Sequence, residues 1–378
     1  MRHRLFHTTL PALAASLGLA LAALATPLTA RAQQDPAADV LYTLSNAAAG
    51  NAVLALARGP DGALSPAGSF PTGGLGSGGG LGNQGAAVLS QGGHWLFAVN
   101  AGSNEVTVFA RDRRGLEVAD KVASGGVRPV SVALRGDLVY VLNAGSDNLQ
   151  GFNLDRHGRL TPIANSIRAL SGTGTAPAQA EFSPDGEHLV VTEKATSRVL
   201  VFPVGDGGLL GAPVVQPSPS PTPFGFAFGK RDQLFVSEAA GGQPGRSTLS
   251  SYRLNDDSTA TLVTASASAP GQTAACWVVV TRNGRFAYVS NTGSGTLTGF
   301  NVRRDGALSL IDANGISGQI GAGSGPTDLA LSRDSRFLFS LNPGNGTLSS
   351  FRVAANGKLT LLSNTAGIPA SATGLVAP

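Results

Sequence analysis

The sequence predicts an all-β protein, a seven-bladed β-propeller of four-stranded blades. One short apolar strand pattern occurs seven times, beginning at residues 41, 96, 139, 189, 234, 287 and 338. The copies are 43 to 55 residues apart, and each interval has room for four strands. A repeat of this length with four strands is typical of propeller blades. Stacked blades bury both faces of each sheet, which explains continuously apolar strands such as residues 278–280.

The first 32 residues have the pattern of a secretory signal peptide. Arg2 and Arg4 form a basic start, residues 10–25 are apolar, and residues 30–32 read Ala-Arg-Ala, a cleavage site. We therefore expect residues 33–378 to form one propeller domain that is exported to the periplasm or secreted. A retained anchor is the alternative, but the apolar run is short for a membrane span, and no later stretch is long enough.

The charge and the cysteine content bear on two questions, whether the protein binds nucleic acid and whether it holds a disulfide bond. The signal holds three of the 27 Lys and Arg residues and none of the 23 Asp and Glu residues, so the mature chain has a formal net charge of +1. That balance gives no support for nucleic acid as a partner. Cys276 is the only cysteine, so no disulfide can form within the chain.

Residues 176–215 show the repeat unit most clearly. Ser183-Pro184-Asp185-Gly186 is a tight-turn sequence between the first two strands, and residues 205–208 form a hairpin between the last two. Equivalent hairpins with Asp-Gly or Asn-Gly follow the third strand near residues 61, 305 and 356.

The C-terminus is predicted to complete the first blade. Most innermost strands begin at a proline, but none precedes the first repeat at Tyr42. Residues 368–376 supply such a segment at the other end of the chain. Pairing it with the first repeat would close the ring and leave no sheet edge exposed.

The loops after the second strands and the connections between blades share one face of the propeller, around one mouth of the channel. Such a mouth favours a small-molecule site.

In five blades the second strand ends in Asn, which we expect to close the following turn through its side chain. Blades 4 and 5 carry Glu193 and Glu238 instead, and each is either a solvated acid or a functional one. The nearby candidates for ligand binding are Arg128, Gln179, Glu181, Lys194, Gln272 and Asp328. A charge at Glu181 is costly in an apolar innermost strand, so this side chain should face the channel or pair with a cation such as Arg128 or Arg198.

Several common site types are not predicted. His94, His157 and His188 all lie beside turns of the opposite face, so no His-based catalytic triad or metal site is expected at this mouth. Cys276 is predicted to be a buried, inert thiol. Residues 74–79 match a dinucleotide-binding pattern, but no helix follows, so they are interpreted as a loop between blades. No metal or cofactor is predicted.

The seven repeats, the Ser-Pro-Asp-Gly turn and the Asp-Gly-x-Leu hairpins resemble the seven-bladed propeller lactonase family, which includes 6-phosphogluconolactonases and carboxymuconate-lactonising enzymes. Residues 140–146 are similar to the YVTN repeats of secreted propellers. The resemblance implies a histidine after the first-strand proline of blade 4, then an acid and an arginine near the loop after its second strand. Glu193 and Arg198 match the last two, whereas Ala178 follows Pro177 where the histidine is expected.

Two functions are compatible with this sequence. The first is an exported lactonase acting on a sugar or organic-acid lactone, with Glu193 or Glu238 as base and Arg128 and Arg198 holding a carboxylate or oxyanion. The second is a non-catalytic propeller that binds a small ligand, a glycan or a protein through the same face. In both cases we expect a monomer that does not bind nucleic acid.

Overall fold

The computed structural model describes residues 39–378, so the predicted signal peptide lies outside the described residues. The described chain forms thirty β-strands in seven antiparallel sheets. Each sheet has a main path of four strands, which confirms the predicted seven-bladed propeller. Within this part of the chain, no helix is long and apolar enough to cross a membrane.

The strands follow the predicted order of blades. Their bounds in chain order are: blade 1, β1 (Val40–Leu44), β2 (Ala52–Arg58) and β3 (Leu64–Pro71); blade 2, β4 (Ala87–Leu89), β5 (Trp95–Asn100), β6 (Glu105–Asp112) and β7 (Gly115–Ala123); blade 3, β8 (Pro129–Arg135), β9 (Leu138–Asn143), β10 (Asn148–Leu154), β11 (Leu160–Pro162) and β12 (Arg168–Ala169); blade 4, β13 (Pro177–Phe182), β14 (His188–Glu193), β15 (Arg198–Pro203) and β16 (Val214–Pro217); blade 5, β17 (Pro223–Phe228), β18 (Gln233–Glu238), β19 (Thr248–Leu254) and β20 (Ala260–Ser268); blade 6, β21 (Ala275–Val280), β22 (Phe286–Asn291), β23 (Thr296–Val302), β24 (Leu308–Leu310) and β25 (Gly318–Gln319); blade 7, β26 (Asp328–Leu331), β27 (Phe337–Asn342), β28 (Thr347–Val353) and β29 (Leu359–Ala366); and again blade 1, β30 (Thr373–Val376). Two 3₁₀ turns lie at Asp206–Gly208 and Ala240–Gly242.

The last strand closes the ring as predicted. β30 is the innermost strand of blade 1 and pairs antiparallel with β1, where Tyr42 lies opposite Val376 and Thr43 opposite Leu375. Leu375 is buried with 5% of its surface exposed. Because both ends of the chain share one sheet, the inner edge of β1 is paired and the first blade has a main path of four strands like the others.

Neighbouring blades are joined by tyrosines of the second strands. The hydroxyl of Tyr140 in blade 3 donates to the carbonyl of Gly208 in blade 4, at 2.8 Å. The hydroxyl of Tyr288 in blade 6 donates to the carbonyl of Gly357 in blade 7, at 2.6 Å. Both glycines have φ near +80° in the hairpin after the third strand, a conformation that favours glycine. The recurring Asp-Gly and Asn-Gly hairpins thus have a packing role as well as a turning role.

Two of the asparagines that end the second strands, Asn291 and Asn342, close the following turn as expected, whereas Asn46 and Asn143 donate to the connections between blades. The Asn291 amide donates to Thr296 and Thr298, and Asn342 makes the same two contacts with Thr347 and Ser349. These partners lie on the following strand of the same blade. Cys276 is buried in β21, which raises the pKa of its thiol to about 12 and agrees with the predicted inert role.

Candidate active site

A glycine-rich segment closes one end of the central channel. Residues 82–85, which we call the channel plug, belong to the connection between β3 and β4 and read Gly-Asn-Gln-Gly. The Asn83 amide donates to the carbonyl of Val130 in blade 3 and accepts from the Thr373 hydroxyl of blade 1. Its main-chain carbonyl accepts from the indole of Trp277 in blade 6, at 2.6 Å.

Gln84 fixes the plug to the innermost strands of blades 4 and 6. Its main-chain N–H donates to the carbonyl of Ala178 in blade 4, at 3.0 Å. Its side-chain amide pairs with both main-chain groups of Val278 in blade 6, at 2.9 and 3.2 Å. A Cβ at Gly225 of blade 5 would lie 2.2 Å from the Gln84 side-chain oxygen, so only glycine leaves room there. The plug therefore contacts the inner strands across the ring, near the points where these strands begin.

Lys194, one of the predicted ligand-binding residues, holds the plug in place. Its ammonium donates to the carbonyl of Gly82 and lies 4.8 Å from the centre of the Phe224 ring. Burial, with a smaller effect of Arg128, lowers the pKa of Lys194 to about 8. Arg128 itself is exposed and has a positive φ of 56°. These two predicted cations lie at the closed end of the channel.

Beyond the plug the channel is a cavity of about 670 Å³. Its lining begins at Gln84 and continues along the inner strands of blades 1, 2, 3, 4 and 7. At its other end lie Gln91 and residues 135–137, which belong to the turns after the first strands. The cavity therefore opens on the face opposite to the one predicted for the ligand, although none of His94, His157 and His188 lines it.

Glu181 is the acidic side chain of β13 that lines this cavity, as the cost of burying a charge predicted. The Gln179 amide donates to its carboxylate at 2.8 Å. The Gln179 carbonyl in turn accepts from the main-chain N–H of Phe226 at 2.7 Å, so the amide is held from both ends. Burial raises the pKa of Glu181 from 4.5 to about 7, and the Gln179 bond opposes this only in part.

Asp328, at the start of β26, is the second carboxyl group inside the cavity, whereas Asp137 lies exposed at the open end. The two oxygens of Asp328 accept from the main-chain N–H groups of Leu329 and Leu375, at 2.8 and 3.0 Å. The second bond joins blade 7 to the closing strand β30. Burial raises the pKa of Asp328 well above its usual range despite these two bonds. The cavity thus combines two carboxyl groups whose charged forms are disfavoured.

Glu193 lies elsewhere and is fully buried. Its carboxylate accepts from the main-chain N–H of Ser171 at 2.9 Å and from the hydroxyls of Ser171 and Thr196. Arg198 is exposed, and its guanidinium donates to the same Ser171 hydroxyl at 3.0 Å. Glu193 therefore closes a turn much as the asparagines do, and no surface of its carboxylate is open to a substrate.

Glu238 is also fully buried, in blade 5. Five donors reach its carboxylate, four of them hydroxyls, from Ser218, Ser220, Thr248, Ser250 and Ser266. Gln272 is buried as well and accepts from the Thr296 hydroxyl at 2.5 Å. The catalytic role predicted for Glu193 and Glu238 stays a prediction, and their surroundings favour a structural one.

The structure thus divides the nine predicted residues. Gln179, Glu181 and Asp328 meet in the cavity, and Arg128 and Lys194 lie at its closed end, whereas the other four lie outside both groups. Sequence reasoning missed Gln84 and Arg135, which also line the cavity. An Asn-Gln pair enclosed by glycines was the available signal for Gln84. Within residues 39–378, no three His, Cys, Asp or Glu side chains are grouped to hold a metal ion.

Comparison with known proteins agrees with this architecture. The family model described as "Lactonase, 7-bladed beta-propeller" matches residues 51–174 and 173–375. The chain belongs to the seven-bladed β-propeller lactonase family. No curated protein matches the sequence.

Solved structures with the same fold include three bacterial proteins. A candidate 6-phosphogluconolactonase from Bacteroides uniformis is 18% identical with a TM-score of 0.70, and the match covers 89% of this chain and 99% of that one. A protein from Lactobacillus plantarum is 21% identical with a TM-score of 0.69, over 89% and 98% of the two chains. The periplasmic gluconolactonase PpgL of Pseudomonas aeruginosa is 18% identical with a TM-score of 0.68, over 89% and 100%. At these identities the likeness concerns the fold.

Proposed function

We propose that this lactonase-family protein hydrolyses a small sugar or organic-acid lactone inside the channel cavity, with Glu181 as the general base. The observation that carries the proposal is the position of Glu181, a carboxylate with a pKa raised to about 7 that lines a closed-ended cavity. A base with a pKa near the working pH is best suited to proton transfer. The cavity volume of about 670 Å³ lies in the range of small-molecule sites.

The proposed reaction uses one water molecule. Glu181 removes a proton as the water oxygen attacks the lactone carbonyl, and the ring C–O bond then breaks. The ring oxygen receives the proton from Glu181, so the product is the open hydroxy acid and the base is regenerated. Asp328 favours its protonated form because of burial, and this form can donate a hydrogen bond to the developing oxyanion.

Two groups support Glu181 and the substrate in this scheme. Gln179 fixes one carboxylate oxygen of Glu181 and leaves the other for water. Arg135 is an exposed arginine at the open end, where its guanidinium donates to the carbonyl of Asp185. A guanidinium in that position suits a carboxylate or phosphate on the substrate. Arg128 and Arg198, predicted for that role, lie away from the cavity lining.

A binding protein without catalysis is the second candidate, and one observation favours it. Ala178 occupies the position where the family resemblance implies a histidine, and it is fully buried beneath the plug. No imidazole can act there. In this version Glu181, Asp328 and Arg135 would bind a small polar ligand without turning it over.

Export is part of the proposal. The basic start, apolar run and Ala-Arg-Ala site of residues 1–32 support it, as does the fold shared with a protein described as a periplasmic gluconolactonase. The N-terminus of the mature protein should then begin at Gln33. Mass spectrometry of cell fractions that found residues 10–25 still attached to exported protein would contradict this.

The test is hydrolysis of δ-gluconolactone and related lactones, measured by acid release above the spontaneous rate. The wild type should hydrolyse at least one, and Glu181→Gln should lose at least a hundredfold in kcat, the usual scale of a lost general base. Glu187→Gln, an exposed substitution in the same hairpin, is the matched control and should keep full activity. Glu193→Gln tests, in the same assay, the prediction from the sequence that Glu193 is the base. Loss of activity in Glu193→Gln but not in Glu181→Gln would reject the cavity as the catalytic site.

A further inference from the structure

The face on which the cavity opens carries an uneven distribution of charge. In blades 5, 6 and 7, positions 230–232, 253–257, 282–285, 303–305, 333–336 and 352 hold ten Lys and Arg residues and five Asp residues on this face, besides Lys358, which pairs with Asp312 at 3.4 Å. The corresponding turns of blades 3 and 4, residues 135–137, 155–159, 185–187 and 205–208, hold three arginines and five carboxylates. At these positions blades 5 to 7 therefore carry an excess of five positive charges, whereas blades 3 and 4 carry an excess of two negative charges.

Four of these arginines surround one depression between blades 5 and 6. Arg231 and Arg253 border it on one side and Arg303 and Arg304 on the other, and its volume is about 350 Å³. One acid, Asp305, also lies there, with a carboxylate oxygen 3.9 Å from the Arg303 guanidinium. The Arg303 side chain is 75% exposed, so this long contact neutralises little of the positive charge.

A second depression, of about 570 Å³, follows between blades 6 and 7. It is lined by Lys230, Arg282 and Arg336, with Asp334 as its acid. The contact between Asp334 and the Arg336 guanidinium is again long, at 3.9 Å. Two cationic depressions therefore follow each other around the rim of the ring.

The framework beneath these arginines is ordered by hydrogen bonds between blades. The side-chain amide of Gln233 in blade 5 donates to the main-chain carbonyls of Arg303 and Arg304 in blade 6, at 3.3 and 3.0 Å. The main-chain N–H of Arg282 in blade 6 donates to the Ser335 hydroxyl of blade 7, at 2.9 Å. The charged side chains thus stand on turns whose spacing is fixed.

We propose that this basic face of blades 5 to 7 binds a linear anionic polysaccharide, whose successive carboxylate or sulfate groups occupy the two depressions. Nine of the ten cations are arginines, whose planar fork pairs with such groups through two parallel hydrogen bonds. Single-stranded nucleic acid is a poorer fit, because every large exposed hydrophobic side chain of residues 39–378 is aliphatic and none can stack on a base. A membrane surface is also a poorer fit, because none of those aliphatic side chains lies in these turns to insert into lipid.

Binding is tested with immobilised alginate, which carries carboxylates, and heparin, which carries sulfates. The full-length mature protein should bind at least one of them at low salt and should not bind neutral dextran. The binding should weaken steeply as the salt concentration rises. The double variant Arg231→Ser/Arg304→Ser should bind about tenfold more weakly, since an exposed charge pair contributes about threefold. The control Arg156→Ser/Arg159→Ser removes two exposed arginines from blade 3 on the same face and should change binding less than twofold.

Melting temperatures of both double variants verify that they are folded, and lactone hydrolysis reports the cavity separately. Binding to one glycan but not the other identifies the anionic group. Three results would overturn the proposal. They are no binding to either glycan, equal weakening in both double variants, or binding to duplex DNA or phosphatidylglycerol vesicles that is tighter than binding to either glycan and depends on Arg231 and Arg304.

Discussion

Replacing Glu181 by glutamine should make the protein more stable than the wild type at pH 8 and leave the two equally stable at pH 4. Burial raises the pKa of this carboxyl from 4.5 to about 7 in the folded protein. The folded state therefore binds the proton more tightly than the unfolded chain does. The stability of the wild type then falls as pH rises from 4.5 to 7, and below 4.5 both states are protonated.

The size of the effect follows from the shift. A difference of roughly 2.5 pKa units corresponds to about 3 kcal/mol of unfolding free energy. Glutamine keeps the shape of glutamate, and its carbonyl can still accept the bond from the Gln179 amide. The gain should therefore approach about 3 kcal/mol at pH 8, because the variant never places a charge in the cavity.

The assay is urea or thermal unfolding of wild type, Glu181→Gln and Glu187→Gln at pH 4, 6 and 8. Glu187 is exposed in the same hairpin, so its substitution should change stability by less than about 0.5 kcal/mol at each pH. A gain for Glu181→Gln that does not grow with pH would refute the buried-carboxylate reasoning. A loss of activity together with a gain in stability is the combination expected of a functional residue held at a cost in stability.

Three further substitutions test the packing around the channel, each by thermal or urea unfolding. Leu375→Ala in the closing strand should cost about 2–5 kcal/mol, and an unchanged melting temperature would contradict the closure. Glu238→Ala leaves five donors without an acceptor and should lower the free energy of unfolding by about 3 kcal/mol or more. Activity per folded molecule should persist, and a loss of turnover with unchanged stability would support a catalytic role for Glu238 instead. Gly225→Ala places a Cβ against the Gln84 side chain and should destabilise the plug, while Gly172→Ala, where nothing lies within 4 Å, is the control; equal melting temperatures for these two variants would contradict the plug contacts.

The architecture could be predicted from the sequence because it depends on local repeats. Apolar strands, Asp-Gly hairpins and a missing first strand before Tyr42 were sufficient for the blade count and the closure. The cost of a charge in an apolar strand was sufficient to orient Glu181 toward the channel. Each of these inferences needed only a few neighbouring residues.

The site was harder to predict because it depends on contacts across the ring. The plug is held by Val278 and Thr373, which are 194 and 290 residues from their partners Gln84 and Asn83. A glycine-rich segment has no hydrophobic pattern, so its path cannot be inferred from periodicity. Glu238 was ambiguous for a similar reason, since its partners lie 10 to 28 residues away, in the connection before β17 and in strands β19 and β20, and no short motif links them.

A crystal structure of the protein soaked with a lactam analogue of a sugar lactone tests the central claim most directly. The lactam keeps the ring and the carbonyl but replaces the ring oxygen with N–H, and it resists hydrolysis. The account predicts electron density in the channel cavity, with the lactam carbonyl carbon within reach of a water held by Glu181 and its ring near Asp328. Density outside the cavity, at the closed end beside Lys194 and Arg128 or at Glu193, would contradict it.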